Sequence, residues 1–321
     1  MNIFFTLITF LLFFSSTYVK ANLAYITNEK DNTVSVIDIA KKKVIKTVKV
    51  GQRPRGIIMS KDGKLVLIAT SDDDRVEVRD AVTMKLKYHL PSGPDPELFI
   101  LSPEDDVLYI ANEDDAMVTV VDMNDKMIID DIPVGVEPEG MGLTNNGKIL
   151  VNTSETTNMA HFIDTDTLEI TENVLVDARP RVAVFTPDDR EVWVSAEIGG
   201  TVKVINPGSK AVTHTISFEI PGVNEESIQP VGVRHTNDGK YTFVALGPAN
   251  RIAVIDQKTK KVMKYLLVGQ RVWQLAFTPD QKTLLSTNGV SNDVSIINVE
   301  KLKVEKSVKV GRFPWGVVIS P

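Results

Sequence analysis

The chain has 321 residues, with 36 basic and 42 acidic side chains and a formal net charge of −6. This length suits one large β domain or two average domains, and 43% hydrophobic with 24% charged residues excludes a disordered chain. The acidic balance argues against nucleic acid or an anionic lipid surface as the main partner. The absence of cysteine excludes disulfides, Cys-ligated metals and thiol nucleophiles.

The first residues have the pattern of a secretory signal. Met1–Phe14 is almost wholly apolar, and Ser15–Thr17 and a short stretch ending at Ala21 follow it. We therefore predict a signal peptide over residues 1–21, cleaved after Ala21, with an uncleaved anchor as the alternative. The expected location is the periplasm, without membrane insertion after cleavage, and residues 22–321 are predicted to form a single domain.

A repeat organises the rest of the chain. Pro54, Pro96, Pro138 and Pro180 are each 42 residues apart, and alignment on this column divides the chain from Leu23 onward into seven copies. One copy carries eight extra residues, around positions 220–226. A period near 40 residues is typical of β-propeller blades.

Each copy contains four short β-like runs separated by turn residues. In the third copy these runs are Val107–Ala111, Val118–Asp122, Met127–Ile132 and Met141–Leu143. β-Branched residues between Gly, Asn and Asp turns predict strands joined by hairpins. The fold prediction is therefore an all-β, seven-bladed β-propeller with four antiparallel strands per blade.

The two ends of the chain predict how the propeller closes. The last copy stops at Pro321, just after the run that should be innermost in a blade, and Leu23 begins the run that should follow it. Gly316–Ser320 should therefore join the three N-terminal strands in one blade. This 3+1 closure would leave no open sheet edge between the termini.

Several segments resemble a known repeat family. Leu23–Asn28 (LAYITN) and Val34–Asp38 (VSVID) resemble the YVTN-type β-propeller repeat. Loops specific to single copies are similar to the exported propellers associated with pyrroloquinoline-quinone (PQQ)-dependent alcohol catabolism; these loops are Leu90–Glu97, Asn152–Asp164, Val194–Gly200 and Val268–Trp273. The resemblance implies a periplasmic protein accessory to quinoprotein dehydrogenases and c-type cytochromes. It implies no catalytic motif.

The triplets centred on the proline column should line the mouth of the central channel. Two interpretations are open: salt bridges that lock neighbouring blades, or a surface that binds a small anionic, planar ligand or a loop of a periplasmic protein. Arginines should face the axis beside tryptophans and opposite carboxylates. The candidate residues are Arg53, Arg55, Arg179, Arg181 and Arg271, the acidic Asp95, Glu97, Glu137 and Glu139, and the aromatic Trp273 and Trp315.

A second ring of acidic residues raises the question of a metal. Glu29, Glu113, Glu155 and Glu197 could hold Ca²⁺ if their loops converged, but solvated loop acids are the favoured interpretation. We therefore expect no metal and no cofactor. His161, close in sequence to Glu155, is the one histidine added to the candidate site.

No catalytic template is present in the sequence, which lacks a G-x-S-x-G elbow, an H-E-x-x-H motif and a P-loop. The sequence favours a non-catalytic binding or scaffold protein, expected to be a monomer, over an enzyme. The alternatives are a lactonase-like hydrolase and a carrier of a quinone or haem cofactor on the same fold.

Overall fold

The computed structural model describes residues 22–321, in which 28 strands form seven four-stranded antiparallel sheets. The innermost strands contact one another in sequence around a closed ring. The predicted seven-bladed propeller is therefore confirmed. The predicted signal peptide, residues 1–21, lies outside the described residues.

The blades are numbered in chain order, and within each blade the strands follow one another from the axis outward. Blade 1 contains β28 (Pro314–Ile319), β1 (Leu23–Asn28), β2 (Thr33–Asp38) and β3 (Lys43–Lys49). Blade 2 contains β4 (Pro54–Met59), β5 (Leu65–Thr70), β6 (Arg75–Asp80) and β7 (Leu86–Pro91). Blade 3 contains β8 (Pro96–Leu101), β9 (Val107–Asn112), β10 (Met117–Asp122) and β11 (Met127–Pro133).

The remaining blades repeat this order. Blade 4 contains β12 (Pro138–Leu143), β13 (Ile149–Ser154), β14 (Met159–Asp164) and β15 (Glu169–Leu175). Blade 5 contains β16 (Pro180–Phe185), β17 (Val192–Ala196), β18 (Thr201–Ile205) and β19 (Val212–Ser217). Blade 6 contains β20 (Val233–His235), β21 (Tyr241–Ala245), β22 (Arg251–Asp256) and β23 (Lys261–Leu267). Blade 7 contains β24 (Val272–Phe277), β25 (Thr283–Asn288), β26 (Asp293–Asn298) and β27 (Lys303–Lys309).

The C-terminal strand closes the ring in blade 1. β28 pairs antiparallel with β1, with Ala24 opposite Ile319 and Ile26 opposite Val317. Beyond the strand, the Leu23 amide donates to Ser320 Oγ at 2.9 Å. The predicted 3+1 closure is therefore present, and it satisfies the backbone edge of β1 that would otherwise be open.

Short turns between the third and outer strands explain why each sheet folds back at a fixed point. Asp38 Oδ1 accepts the amide of Lys41 at 2.9 Å, and Asp164 Oδ1 accepts the amides of Asp166 and Thr167. These contacts are Asx-type turns, in which a short side chain replaces a backbone acceptor.

The hydrophobic core lies between adjacent blades rather than in one central mass. Trp193 and Val204 of blade 5, for example, belong to the same buried cluster as Val244 and Ala253 of blade 6. The eight-residue insertion contributes Ile220 to this cluster. No helix among residues 22–321 is long and apolar enough to cross a membrane.

Candidate functional site

The channel mouth is built by a repeated backbone turn. The residue before each inner strand in blades 2 to 5 adopts a positive φ between 47° and 58°, a left-handed conformation that is costly for side chains other than Gly. This turn lies directly before a proline and brings the chain into the inner strand. The four residues are Arg53, Asp95, Glu137 and Arg179.

Arg53 and Arg55 form one half of the charged network at the mouth. Both guanidinium groups donate to Glu97 Oε1, from Arg53 Nη2 at 3.0 Å and from Arg55 Nη1 at a shorter distance. Arg53 also pairs with Asp95, and Arg55 Nε lies 3.8 Å from Glu29 Oε2. Glu97 is fully buried, so this pairing holds its carboxylate inside the protein.

Arg181 is the centre of the other half. Its Nη2 lies 2.9 Å from Glu139 Oε1, its Nη1 donates to Glu155 Oε1, and its Nε lies 3.7 Å from Glu197 Oε2. Arg181 is only 4% exposed and its three partners are buried. These four residues come from blades 4 and 5, so the cluster ties the two blades together.

Arg179 and Arg271 surround this buried cluster at the surface. Arg179 Nε lies 2.8 Å from Glu155 Oε2, and Arg271 Nη2 lies 2.6 Å from Glu197 Oε1. Arg179 is 44% exposed. Solvent reaches this part of the network, so its ion pairs are weaker than those of Arg181.

The two mouth tryptophans stack against arginines, as the sequence suggested. Trp273 lies under both Arg181 and Arg271, with ring centroid distances of 5.7 and 4.4 Å. Arg55 lies 5.8 Å from the centroid of Trp315, which is 1% exposed. These cation–π contacts hold the guanidinium planes in place.

The arginines at the mouth are outnumbered by carboxylates. The five guanidinium groups lie within 4.0 Å of eight carboxylates, so none is left unpaired for an anionic ligand. Burial raises the pKa of Glu97 well above its ordinary value and raises that of Glu139 to about 8. The geometry therefore accounts for the mouth as an interblade lock, and ligand or partner binding there stays a prediction. Glu137, which was grouped with these residues, instead accepts a hydrogen bond from Thr156 Oγ1.

One acidic group at the mouth has the spacing of metal ligands. Carboxylate oxygens of Asp95, Glu97 and Glu113 lie within 4.8 Å of one another. The Arg53 guanidinium contacts all three carboxylates, at up to 4.0 Å. It therefore supplies the positive charge that a metal ion would supply in such a cluster. A Ca²⁺ ion would have to displace it.

The raised pKa of Glu139 predicts a pH-dependent stability. Glu139 ordinarily titrates near 4.5, so the folded protein keeps a proton that the unfolded chain releases between about pH 4.5 and 8. The free energy of unfolding should therefore fall as pH rises through this window. Melting curves should give a lower Tm at pH 8 than at pH 5, and Glu139→Gln should reduce the difference. Glu104→Gln, at a carboxylate that is 78% exposed, is the control. Equal pH dependence in all three proteins would contradict this assignment.

His161 does not join the mouth. It lies in β14, two strands outward from the axis, and is 5% exposed. Its Nε2 accepts the amide of Gly135 at 3.0 Å, its Nδ1 faces Asn173 Oδ1 at 2.5 Å, and Ser154 Oγ lies 3.1 Å from Nε2. Burial lowers the pKa of His161. This satisfied, neutral imidazole packs within blade 4.

The other end of the channel holds a feature that the sequence reasoning missed. A cavity of about 610 Å³, which we call the axial chamber, is lined by the inner strands of blades 2 to 7 beyond the charged mouth. Its walls are mainly apolar, with Ile58, Phe99, Met141 and Val182 among them. This volume lies within the range of about 300–1,000 Å³ that is usual for small-molecule sites.

Among residues 22–321, Arg234 is the one charged residue that lines the axial chamber. Its Nη1 donates to its neighbour's carbonyl, Val233 O, at 2.8 Å, and it forms no ion pair with a described carboxylate. Burial lowers the pKa of its guanidinium. One further polar atom of the lining, Gln274 Nε2, is buried without a hydrogen-bond partner among residues 22–321. The chamber thus combines apolar walls with a cation that has no described carboxylate partner and one unused amide donor.

A signal for Arg234 is present in the repeat alignment. The equivalent positions in other copies hold Ile58, Ile100, Val184 and Ala276, so one arginine interrupts an apolar column. His235, next to it, replaces Phe185 and Phe277, and its Nδ1 lies 2.8 Å from Thr242 Oγ1. Comparing all seven copies position by position would have found this change.

One family model matches part of the chain. Residues 10–97 match the model of the Cytochrome D1 heme domain family. None of the curated protein sequences matches the chain. The expectation of a protein without a cofactor is contradicted by the family match, because the matched model describes a haem domain.

Solved structures share the fold at low sequence identity. A candidate 6-phosphogluconolactonase from Bacteroides fragilis has a TM-score of 0.80 at 18% identity, covering 95% of this chain and 99% of that one. Kuenenia stuttgartiensis hydrazine synthase has a TM-score of 0.78 at 19% identity, covering 86% and 92%. The dihydro-haem d1 dehydrogenase NirN, in complex with DHE, has a TM-score of 0.71 at 15% identity, covering 95% and 77%. These likenesses support the propeller fold.

Proposed function

We propose that this protein binds a planar, carboxylate-bearing cofactor of the haem or quinone class in the axial chamber and acts as its carrier. The observation that carries the proposal is Arg234, which forms no ion pair with a described carboxylate and lies in a mainly apolar cavity without another charged residue among residues 22–321. Arg234 is half-buried, and a charge partly withdrawn from water is costly unless it is paired. A ligand carboxylate would pair it by charge-assisted hydrogen bonds. The apolar walls would cover the body of the ring.

The lining residues fit such a group in their chemistry. Haem iron in proteins is held most often by His, Cys, Met or Tyr, and the lining includes His235 and Met141. Arg234 would hold a carboxylate, and Gln274 Nε2 could donate to a polar edge of the ring. When bound, a haem or quinone would supply redox chemistry that side chains lack. The match of residues 10–97 to a haem-domain model and the NirN complex support the haem class.

The proposed carrier has a cellular context. The apolar leader and the resemblance to exported YVTN-type propellers support a periplasmic protein accessory to PQQ-dependent alcohol oxidation, with the mouth residues as a contact for its partner. A mature chain beginning at Asn22, measured by mass spectrometry, would support export, and an intact Met1 would argue against it.

Cofactor titration tests the chamber. Haem and PQQ are added separately to the purified protein, and binding is followed by cofactor absorbance and tryptophan fluorescence. We expect at least one of them to bind, and Arg234→Met to weaken that binding at least tenfold, about 1.4 kcal/mol, since one charge-assisted contact is lost. The Tm of Arg234→Met should not fall, because the variant removes a charge that has no partner.

The matched control is Arg190→Met, at a side chain that is 84% exposed in a turn. It should bind the cofactor as the wild type does. If neither cofactor binds, or if both variants bind as tightly as the wild type, the proposal is wrong.

A further inference from the structure

Charge is segregated around the propeller ring. Blades 6, 7 and 1, from residue 233 to 321 and from 22 to 53, contain 21 basic and 9 acidic residues, a formal charge of +12. Blades 3 and 4, residues 96–179, contain 3 basic and 19 acidic residues, a formal charge of −16. In a ring of seven, blade 7 lies opposite the junction of blades 3 and 4. The net charge of the chain hides this separation.

The outer rim of the basic blades carries an array of lysines. These lysines lie on three neighbouring outer strands, β23, β27 and β3, which contact one another in that order. We call this array the lysine wall. All of its lysines are exposed, and only Lys309 has a described carboxylate within 4.0 Å, Asp293 at 3.7 Å. The wall consists of Lys261, Lys264, Lys303, Lys306, Lys309, Lys43, Lys46 and Lys49.

The composition of the lysine wall indicates the kind of surface it fits. Its three strands contain no Arg and no Trp, the residues in which protein interfaces are enriched, whereas Lys is depleted there. Apolar side chains stand among the lysines, with Ile45 48%, Met263 53% and Leu267 64% exposed. Lysines with scattered apolar groups suit a fluid anionic surface better than a fixed protein partner.

We propose that the lysine wall docks on an anionic lipid surface, with the lysines facing headgroup phosphates. The acidic blades 3 and 4 do not prevent this docking. They lie on the far side of a domain whose radius of gyration is about 20 Å. Salt at 0.1 M screens charge over about 10 Å, so their repulsion from the membrane is weak. On the ring of blades, β23 and β3 flank β27 and so lie farther than β27 from a flat membrane. Electrostatic attraction that acts over about 10 Å still lets their lysines contribute to docking.

Vesicle binding tests the proposal. The purified protein is sedimented with phosphatidylcholine vesicles, either pure or with about one-third phosphatidylglycerol. We expect binding only where phosphatidylglycerol is present, with loss of binding at high salt. Each lysine near such a surface contributes about 1 kcal/mol, so Lys303→Gln with Lys306→Gln should weaken binding about thirtyfold.

The matched control, Lys126→Gln with Lys148→Gln, removes the same number of positive charges from the acidic blades 3 and 4. It should bind the vesicles as the wild type does. Any apolar contribution from residues 1–21 is common to all variants and would appear with pure phosphatidylcholine as well. Equal binding to both vesicles, or equal weakening in both double variants, would overturn the proposal. Tighter binding to immobilised polyglutamate than to the phosphatidylglycerol vesicles, at equal charge concentration, would point to an acidic protein instead and would also overturn it.

Discussion

Arg181→Met should lower the free energy of unfolding by about 3–5 kcal/mol, measured by urea denaturation at pH 7. The substitution roughly keeps the side-chain volume above Trp273 but removes the guanidinium that faces Glu139, Glu155 and Glu197. Glu139 keeps its proton at pH 7, but Glu155 and Glu197 are buried, so water cannot replace the cation that their carboxylates lose. A loss of this size is a large fraction of the total stability of a typical domain, about 5–15 kcal/mol.

Arg179→Met is the control for this experiment. Arg179 pairs with two of the same carboxylates, Glu155 and Glu197, but is 44% exposed, so its loss should cost only about 0–1 kcal/mol. Similar losses in the two variants would mean that burial does not set the strength of the network. A weaker affinity for a partner in Arg179→Met, with unchanged stability, would support a binding role for the exposed side of the mouth.

A chain ending at Phe313 should not fold to a stable propeller. It lacks β28, so it loses the pairing with β1 and the burial of Trp315, 1% exposed, and Val317, 6% exposed. Removing one buried tryptophan side chain alone costs about 3–5 kcal/mol, and the unpaired backbone of β1 adds to it. Circular dichroism should show no cooperative unfolding transition, and the protein should aggregate.

A chain ending at Ser320 is the control. It lacks only Pro321, which is exposed, and keeps the mutual contacts between Ser320 and Leu23. Its Tm should equal that of the full chain. A cooperative transition at the wild-type temperature in the chain ending at Phe313 would show that closure by β28 is not required.

The fold was predictable because its information is local and repeated. The spacing of Pro54, Pro96, Pro138 and Pro180 set the blade length, and the inner strands of blades 2 to 5 begin at these four prolines. The positions of Leu23 and Pro321 within the repeat predicted the 3+1 closure. Hydrophobic alternation and Asx turns act within a few residues, so one chain was enough to interpret them.

The sites were less predictable because they depend on distances across the channel. The sequence placed Arg181 and Glu155 in separate rings, but it could not show that their side chains meet and are buried together. His161 was included for its closeness in sequence to Glu155, yet β12 and β13 lie between its strand and the axis. The space around Arg234 is set by six inner strands at once, and no spacing in the sequence encodes it.

Net charge was a poor guide to partners for a related reason. A net charge of −6 argued against an anionic surface as partner, but a net charge does not say where on the molecule the charged residues lie. In a ring of blades, residues distant in sequence, such as Lys46 and Lys306, lie on adjacent outer strands. Charge counted blade by blade would have revealed the lysine wall without a structure.

The pairing of the first strand with the last has a consequence for the order of folding. β1 is synthesised early, but its partner is complete only after Ile319, nearly 300 residues later. At about 5–20 residues per second, β1 waits roughly 15–60 s for β28. The pairing of β28 with β1 is therefore possible only once nearly the whole chain is available, and until then the inner edge of β1 is unpaired.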